Sequence, residues 1–438
     1  MTVCHVSPHA SRRLPAWIPG FFWMLAVSLL LGAALRAQAQ QSSSPAPATG
    51  TPAAQTPAQP PTPAAPPAPS GPAPGAYSVS GLLDVYYEYN ARNPAKTYLV
   101  TPDGESIPIQ NNGRAFDVID GTPVFSLGEL NIQRTQGKGL PFGITGTFTA
   151  GDTARIVHST EYGGTRRWQW LQQLYLTRAT PIKTGSLNVD FGVFVTPYGY
   201  EVIESSSNDN YSRGLLFTYA IPFYHAGLRI TAPVTRSITL LAGVVNGWND
   251  IADDNDSKSI ITQITWAPSP KYTAIVGYMG GNEGTGAYGS AIPKNAAIAT
   301  DLLDAQVVTN PTSRLKLVAW ADYGHGSGNV DDTHVSGSWV GLAAFARYQI
   351  TTPIAAALRI EQLEDIPGAG PRPGGLRFGI GYLKLREITL TLEYAHKGGH
   401  LLSRLEYRHD DATSPFFNSH GSLVTYQDTF TLGEVYKF

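Results

Sequence analysis

Acidic and basic side chains in one connecting segment and on several later strands are the residues best placed to do chemistry here. The chemistry they suit is electrostatic. Between Pro197 and Pro222 lie Glu201, Glu204, Asp209 and Arg213, and further along come Arg229, Arg347, Arg359, Arg404 and Arg408. Set against one another across a gap, such groups create a transverse field that sorts ions. Scattered on a wet surface they are ordinary solvated charges. Covalent and metal chemistry have weaker support. No serine-centred nucleophile motif stands out, and the ten histidines lack the paired spacing of metal ligands. No catalytic residue, metal or cofactor is expected. Asp331-Asp332 and His409-Asp410 carry the residue types of a barrel protease, but they would have to converge around one water. Asp253-Asp254-Asn255-Asp256 is rich in oxygen ligands for Ca²⁺. It lacks the spacing, glycine and terminal glutamate of an EF-hand, and reads as a hydrated acidic loop. Trp168 and Trp170 could stack sugars, although an interfacial aromatic band uses the same residues more simply.

The elements that position these charges are strands. Val79, Leu83, Val85, Tyr87 and Tyr89 share one face of the first apolar segment, and Ser80, Asp84, Tyr86 and Glu88 share the other. The same alternation recurs over 187–196. It recurs again where Ile354, Ala356, Leu358 and Ile360 oppose Arg359 and Glu361, and where Leu405 and Tyr407 oppose Arg404, Glu406 and Arg408. A period of two suits a half-buried strand of a soluble sandwich as well as a membrane barrel. Connection lengths separate them. Short turns at Thr135–Gly139, Thr180–Gly185, Pro233–Ser237, Pro268–Lys271, Asn310–Ser313, Thr351–Pro353 and Lys397–His400 alternate with long polar connections. The long ones are 90–124, 152–168, 197–222, 247–257, 281–298, 325–336, 363–387 and 409–423. That asymmetry predicts an all-β, transmembrane, antiparallel up-and-down barrel of about 16 strands. A barrel that wide should hold a water-filled lumen.

The ends agree. Arg12-Arg13, the apolar run Phe21–Leu35 and Ala37-Gln38-Ala39 form a cleavable export signal, assigned to 1–39. The only cysteine, Cys4, lies in it, so no disulfide or thiol chemistry is expected of the remainder. Residues 40–76 are almost entirely Pro, Ala, Ser, Thr, Gln and Gly, and read as a disordered, extended spacer able to reach the cell wall. Residues 77–438 are the barrel. They hold no apolar stretch near 18 residues, and their balanced charge argues against nucleic acid as a partner. The last segment ends on Phe438, with Phe430, Leu432 and Tyr436 on the same face; Glu434 interrupts that face.

Four blocks resemble the OmpL-like β-barrel porin family (β-barrel porin-2). They are Phe191-Gly192-Val193-Phe194-Val195-Thr196-Pro197-Tyr198-Gly199-Tyr200-Glu201, and Asn210-Tyr211-Ser212-Arg213 followed by Ala220-Ile221-Pro222-Phe223. Val244-Val245-Asn246-Gly247-Trp248-Asn249 with Asp254-Asn255 and Lys258, and Leu405-Glu406-Tyr407-Arg408-His409-Asp410, complete the set. The resemblance implies an outer-membrane channel with no catalytic residues and no agreed substrate. The expected role is a porin passing small hydrophilic solutes or ions, with outer-membrane lipid as partner and a homotrimer as one assembly. A barrel enzyme and a cell-envelope anchor are the alternatives. By analogy with 16-stranded porins, the connection 197–222 folds inward. It carries Glu201, Glu204, Asp209 and Arg213, and its three acids would then oppose some of the strand arginines Arg229, Arg347, Arg359, Arg404 and Arg408 at a constriction.

Overall fold

A computed structural model describes residues 75–137, 139–288, 297–330, 333–368, 375–379 and 381–438. The expected export signal, nearly all of the Pro/Ala-rich segment and the Asp331-Asp332 pair lie outside these residues.

Sixteen antiparallel strands close into a barrel, each beside its neighbours in sequence and the first beside the last. They are β1 Tyr77–Asn90, β2 Pro123–Arg134, β3 Gly143–Ala150, β4 Leu171–Ile182, β5 Gly185–Val195 and β6 Tyr224–Pro233. Next come β7 Ile238–Val245, β8 Ser259–Ser269, β9 Tyr272–Glu283, β10 Ala297–Thr312 and β11 Leu315–Val330. The last are β12 Thr333–Gln349, β13 Ile354–Pro367, β14 Leu383–Ala395, β15 Leu401–Ala412 and β16 Tyr426–Lys437. Closure is continuous: β1 pairs with β16 from Leu82↔Lys437 to Asn90↔Thr429. The expected strand number and class both hold.

Alternation decides what each face meets. Leu83, Val85, Tyr87, Leu390, Leu392, Leu405, Phe430 and Leu432 point outward and are exposed. Their neighbours Asp84, Glu88, Glu387, Arg404, Glu406 and Arg408 point inward and are buried. In water this inside-out distribution would leave the whole apolar band unburied, so it is favourable only with hydrocarbon around the barrel. No helix of the described residues is long and apolar enough to cross a membrane; the crossing is made by strands. Glu434 breaks the outer band near the short-turn end, where Ser403 on β15 donates a hydrogen bond to it at 2.8 Å. A partnered carboxylate close to an interface costs little, about 0–1 kcal/mol.

One expected long connection does not exist as such. β11 and β12 stay paired out to Val330↔Thr333, well inside the span 325–336. Ser327, Gly328, Ser336 and Gly337 lie beyond the apolar band, where strand pairing continues without alternating hydrophobicity to reveal it. Elsewhere the long connections carry small elements of their own. The β1–β2 connection holds the hairpin Thr97–Val100 with Ser106–Ile109, and the β3–β4 connection holds the helix Asp152–Val157.

Candidate pore constriction

The connection from β5 to β6 turns into the lumen. Burial alternates along its middle, into a single 3₁₀ turn at Ser205–Ser207: Glu201, Ile203 and Ser205 are buried, while Val202, Glu204 and Ser206 stay partly exposed. The inner wall receives the first set closely, because three inward positions are glycines. A Cβ on Gly277 of β9 would lie 2.6 Å from the Tyr198 ring. One on Gly433 of β16 would clash with the Tyr211 ring, and one on Gly341 of β12 would lie 2.6 Å from Leu216. The loop therefore keys into wall positions that lack side chains.

Charge then fastens it. Arg359 on β13 meets Glu201 at 2.7 Å and Glu387 at 2.7 Å, and donates to the Ser212 carbonyl at 2.6 Å. Arg404 pairs with Glu393 at 2.6 Å and donates to the carbonyls of Ser205 and Asn208 at 2.5 and 2.8 Å. Arg408 holds Asp410 at 2.7 Å and the Arg213 carbonyl at 2.7 Å. Glu406 accepts from the amides of Tyr211 and Ser212 at 2.7 and 3.0 Å, and Glu361 accepts from the Leu215 amide. Arg213 donates to the carbonyls of Ile203 and Tyr211, bracing the loop against itself. Asp209 takes Lys316 at 2.7 Å and the Tyr200 hydroxyl at 2.6 Å, with Arg347 at 3.8 Å. Ser205 and Tyr211 both donate to Asp84 on β1, at 2.5 and 2.7 Å.

Most of the residues expected at a constriction are thus brought together, but in contact rather than across a gap. Glu201, Asp209, Arg213, Arg359, Arg404 and Arg408 are buried. Their fields are largely spent on one another, because a pair at hydrogen-bond distance looks like a dipole from a few ångströms away. Arg347 is drawn into the same cluster through Glu393, at 2.7 Å. Two residues stand apart. Glu204 points to the side of the loop that faces β2–β4, accepting from Gln172 at 2.6 Å and lying in hydrogen-bond contact with Glu129. Arg229 on β6 pairs with Asp190 at 2.9 Å and lies 4.3 Å above the Phe194 ring. Across β2–β6 the inward residues Asn131, Thr145, Gln173, Tyr175, Thr177, Asn188 and Arg229 remain partly exposed, while Glu129, Thr147, Asp190 and Thr231 between them are buried. The lumen is divided into a trussed wall at β12–β16 and β1, and a polar, accessible wall at β2–β6.

Sequence reasoning missed the partners Glu361, Glu387, Glu393, Glu406 and Lys316, and the docking glycines. The signal was present: Glu361, Glu393 and Glu406 share the inward phase of Arg359, Arg404 and Arg408. His409 and Asp410 are adjacent on a strand and so face opposite ways. His409 reaches Asp428 at 2.8 Å, whereas Asp410 meets Arg408 and Arg114, so the pair does not share one water. In the acidic connection Lys258 engages Asp253. Among the described residues no group of three or more His, Cys, Asp or Glu could hold a metal.

Beside that segment Asp250 is buried in the β7–β8 connection. Burial, then the charges of Asp254, Glu161 and Glu283, push its carboxyl up to about 10. The folded loop holds a proton there that the unfolded chain releases near about 3.9. This contribution is complete below about pH 4 and lost as pH rises towards the folded value. Asp250→Asn should raise the melting midpoint at pH 8 to 9, corresponding to about 1–3 kcal/mol, and leave it unchanged near pH 4. Equal shifts at both pH values would exclude ionisation as the cause.

The sequence profile of the family described as β-barrel porin-2, OmpL-like, matches residues 76–438. No curated protein sequence matches the chain. Among solved structures, OmpT, an outer membrane protein of Vibrio cholerae folded in vitro, superposes with a TM-score of 0.53 at 11% identity. That match covers 84% of this chain and 99% of the other. The outer membrane channel DcaP of Acinetobacter baumannii gives 0.52 at 10% identity, over 83% of this chain and 98% of that one. An anion-selective porin from Comamonas acidovorans gives 0.50 at 10%, over 83% and 100%. At these identities the likeness is one of fold alone.

Proposed function

The chain belongs to the OmpL-like β-barrel porin-2 family, and from that premise we propose that it is an outer-membrane porin passing small hydrophilic solutes and ions by passive diffusion. One observation carries the reading: the inward loop is fastened to one side of the lumen, while on the inner face of β2–β6 Asn131, Thr145, Gln173, Tyr175, Thr177, Asn188 and Arg229 stay partly exposed. A plug would be expected to bury both sides. The passage runs along that second wall, with Val202, Glu204 and Ser206 on its loop edge and Tyr175, Thr177 and Arg229 opposite.

Ion preference in this reading depends on the carboxylate that the truss leaves over. Glu201 and Asp209 are neutralised by Arg359 and Lys316. Glu204 has Gln172 and a second carboxyl, Glu129, for neighbours, and Glu129 takes the Asn131 amide at 2.5 Å. The opening is therefore biased towards cations. Glu204→Gln should move the reversal potential under a tenfold KCl gradient towards anions by about 10 mV, against the ~59 mV of an ideally selective pore. An unmoved potential in a folded, conducting variant would remove Glu204 from the passage. A solute assay completes the test: liposomes bearing the protein should swell in small sugars and fail to swell in large ones.

A further inference from the structure

Two carboxyl groups meet on the accessible side of the loop. Glu129 stands on the inward face of β2, opposite Leu82 of β1 and Thr149 of β3. Glu204 reaches it from the loop, and the two lie in hydrogen-bond contact. Each is oriented by one amide. Asn131, two residues along β2, donates to Glu129 Oε1 at 2.5 Å, and Gln172 on β4 donates to Glu204 Oε1 at 2.6 Å. The second oxygen of Glu129 has no donor: Oε2 is buried, and the residue is only 8% exposed. Neighbouring hydroxyls are turned elsewhere. Thr147 donates to Asn131 Oδ1 at 2.6 Å, and Thr149 to the Gln169 carbonyl at 2.9 Å.

This pair differs from the acids of the truss. Glu201, Glu393 and Asp209 each meet an arginine or lysine, at 2.7, 2.6 and 2.7 Å. The charge that bears most on Glu129 is that of another acid, Glu204. Two carboxylates in contact repel strongly at the low effective dielectric of a protein wall. The arrangement is favourable only with positive charge between them, and a buried oxygen without a donor marks where that charge belongs.

We propose that Glu129 and Glu204 bind one divalent cation of the Mg²⁺ type, partly hydrated, at the edge of the passage. Two carboxylates are too few for an ion stripped of its water. They suffice for one that keeps most of its hydration shell, as Mg²⁺ does. Glu204 is partly exposed, so such an ion can enter from the lumen with its water. Once bound, it cancels both carboxylates, and the cation bias assigned to Glu204 disappears. The inference rests on the reading that Glu204 edges the passage, but binding itself does not require conduction.

The test uses the full folded protein in non-ionic detergent, with Mn²⁺ as paramagnetic probe and Mg²⁺ as competitor, bound ion being counted by electron paramagnetic resonance. One Mn²⁺ should bind per barrel and be displaced by Mg²⁺. Glu129→Gln keeps the side-chain shape and relieves a repulsion, so it should fold. It should weaken binding about tenfold, because affinity follows the number of charged ligands. Glu204→Gln should do the same, whereas Asp253→Asn, in the β7–β8 connection, should not. In bilayers under a KCl gradient, millimolar Mg²⁺ should move the wild-type reversal potential towards anions and leave that of Glu204→Gln unmoved. Bound Mn²⁺ in a barrel that does not conduct would discard the porin reading and keep the site. Conduction without bound Mn²⁺, or binding unchanged in both glutamine variants, would overturn the site. So would a reversal potential that follows pH but not Mg²⁺, the mark of two carboxyls sharing a proton.

Discussion

Arg359→Ala should turn a steady pore into one of larger, fluctuating conductance and lower barrel stability by about 3–5 kcal/mol, the usual result of stripping one partner from a buried ion pair. Arg359 is fully buried and serves three masters at once: Glu201 on the loop, Glu387 on the neighbouring strand, and the Ser212 backbone and hydroxyl. Its removal leaves Glu201 without a cation and Glu387 with only Arg408 at 3.3 Å, beside Glu361, and frees the loop at its centre. Glu387→Gln added to Arg359→Ala should recover part of the loss, because one of the stranded charges is then gone. Glu387→Gln alone should destabilise. That sign reversal is a coupling that only direct contact produces. Planar-bilayer recordings and thermal melts of the four proteins read both effects. Wild-type conductance and melting in Arg359→Ala would mean that the loop is held by packing alone.

Gly433→Val attacks the same loop without touching a charge. The added carbons must occupy space now filled by the Tyr211 ring, and both that ring's hydroxyl and the Tyr211 amide hold wall carboxylates, Asp84 and Glu406. Overpacking of this kind costs about 1–3 kcal/mol. Here it should also displace the loop and raise conductance. Tyr211→Ala in the same chain should relieve the clash, so the double variant should be more stable than the two single effects predict. Simple additivity would show that Tyr211 and Gly433 do not share the space.

The barrel was legible in the sequence because a strand between lipid and lumen shows a period of two in residue type, as at Val85, Tyr87 and Tyr89 against Asp84, Tyr86 and Glu88. The strand number followed from alternating connections. It failed locally at 325–336, where β11 and β12 extend past the lipid and nothing selects for alternation. The constriction was legible only in outline. The inward loop and its basic partners were identifiable, but whether Glu201 or Glu204 faces the passage depends on which side chain docks on Arg359, more than 150 residues away. Glycines 277, 341 and 433 were silent for a related reason: their meaning lies in Tyr198, Leu216 and Tyr211, which reach them only once the barrel has closed.

Single-channel conductance of the purified protein in planar bilayers, across a range of salt concentrations, tests the central claim most directly. The trussed loop and accessible β2–β6 wall predict stable, near-ohmic steps that scale with salt. Absent or very small steps, from protein shown to be folded, would contradict the account and mean that the loop closes the lumen.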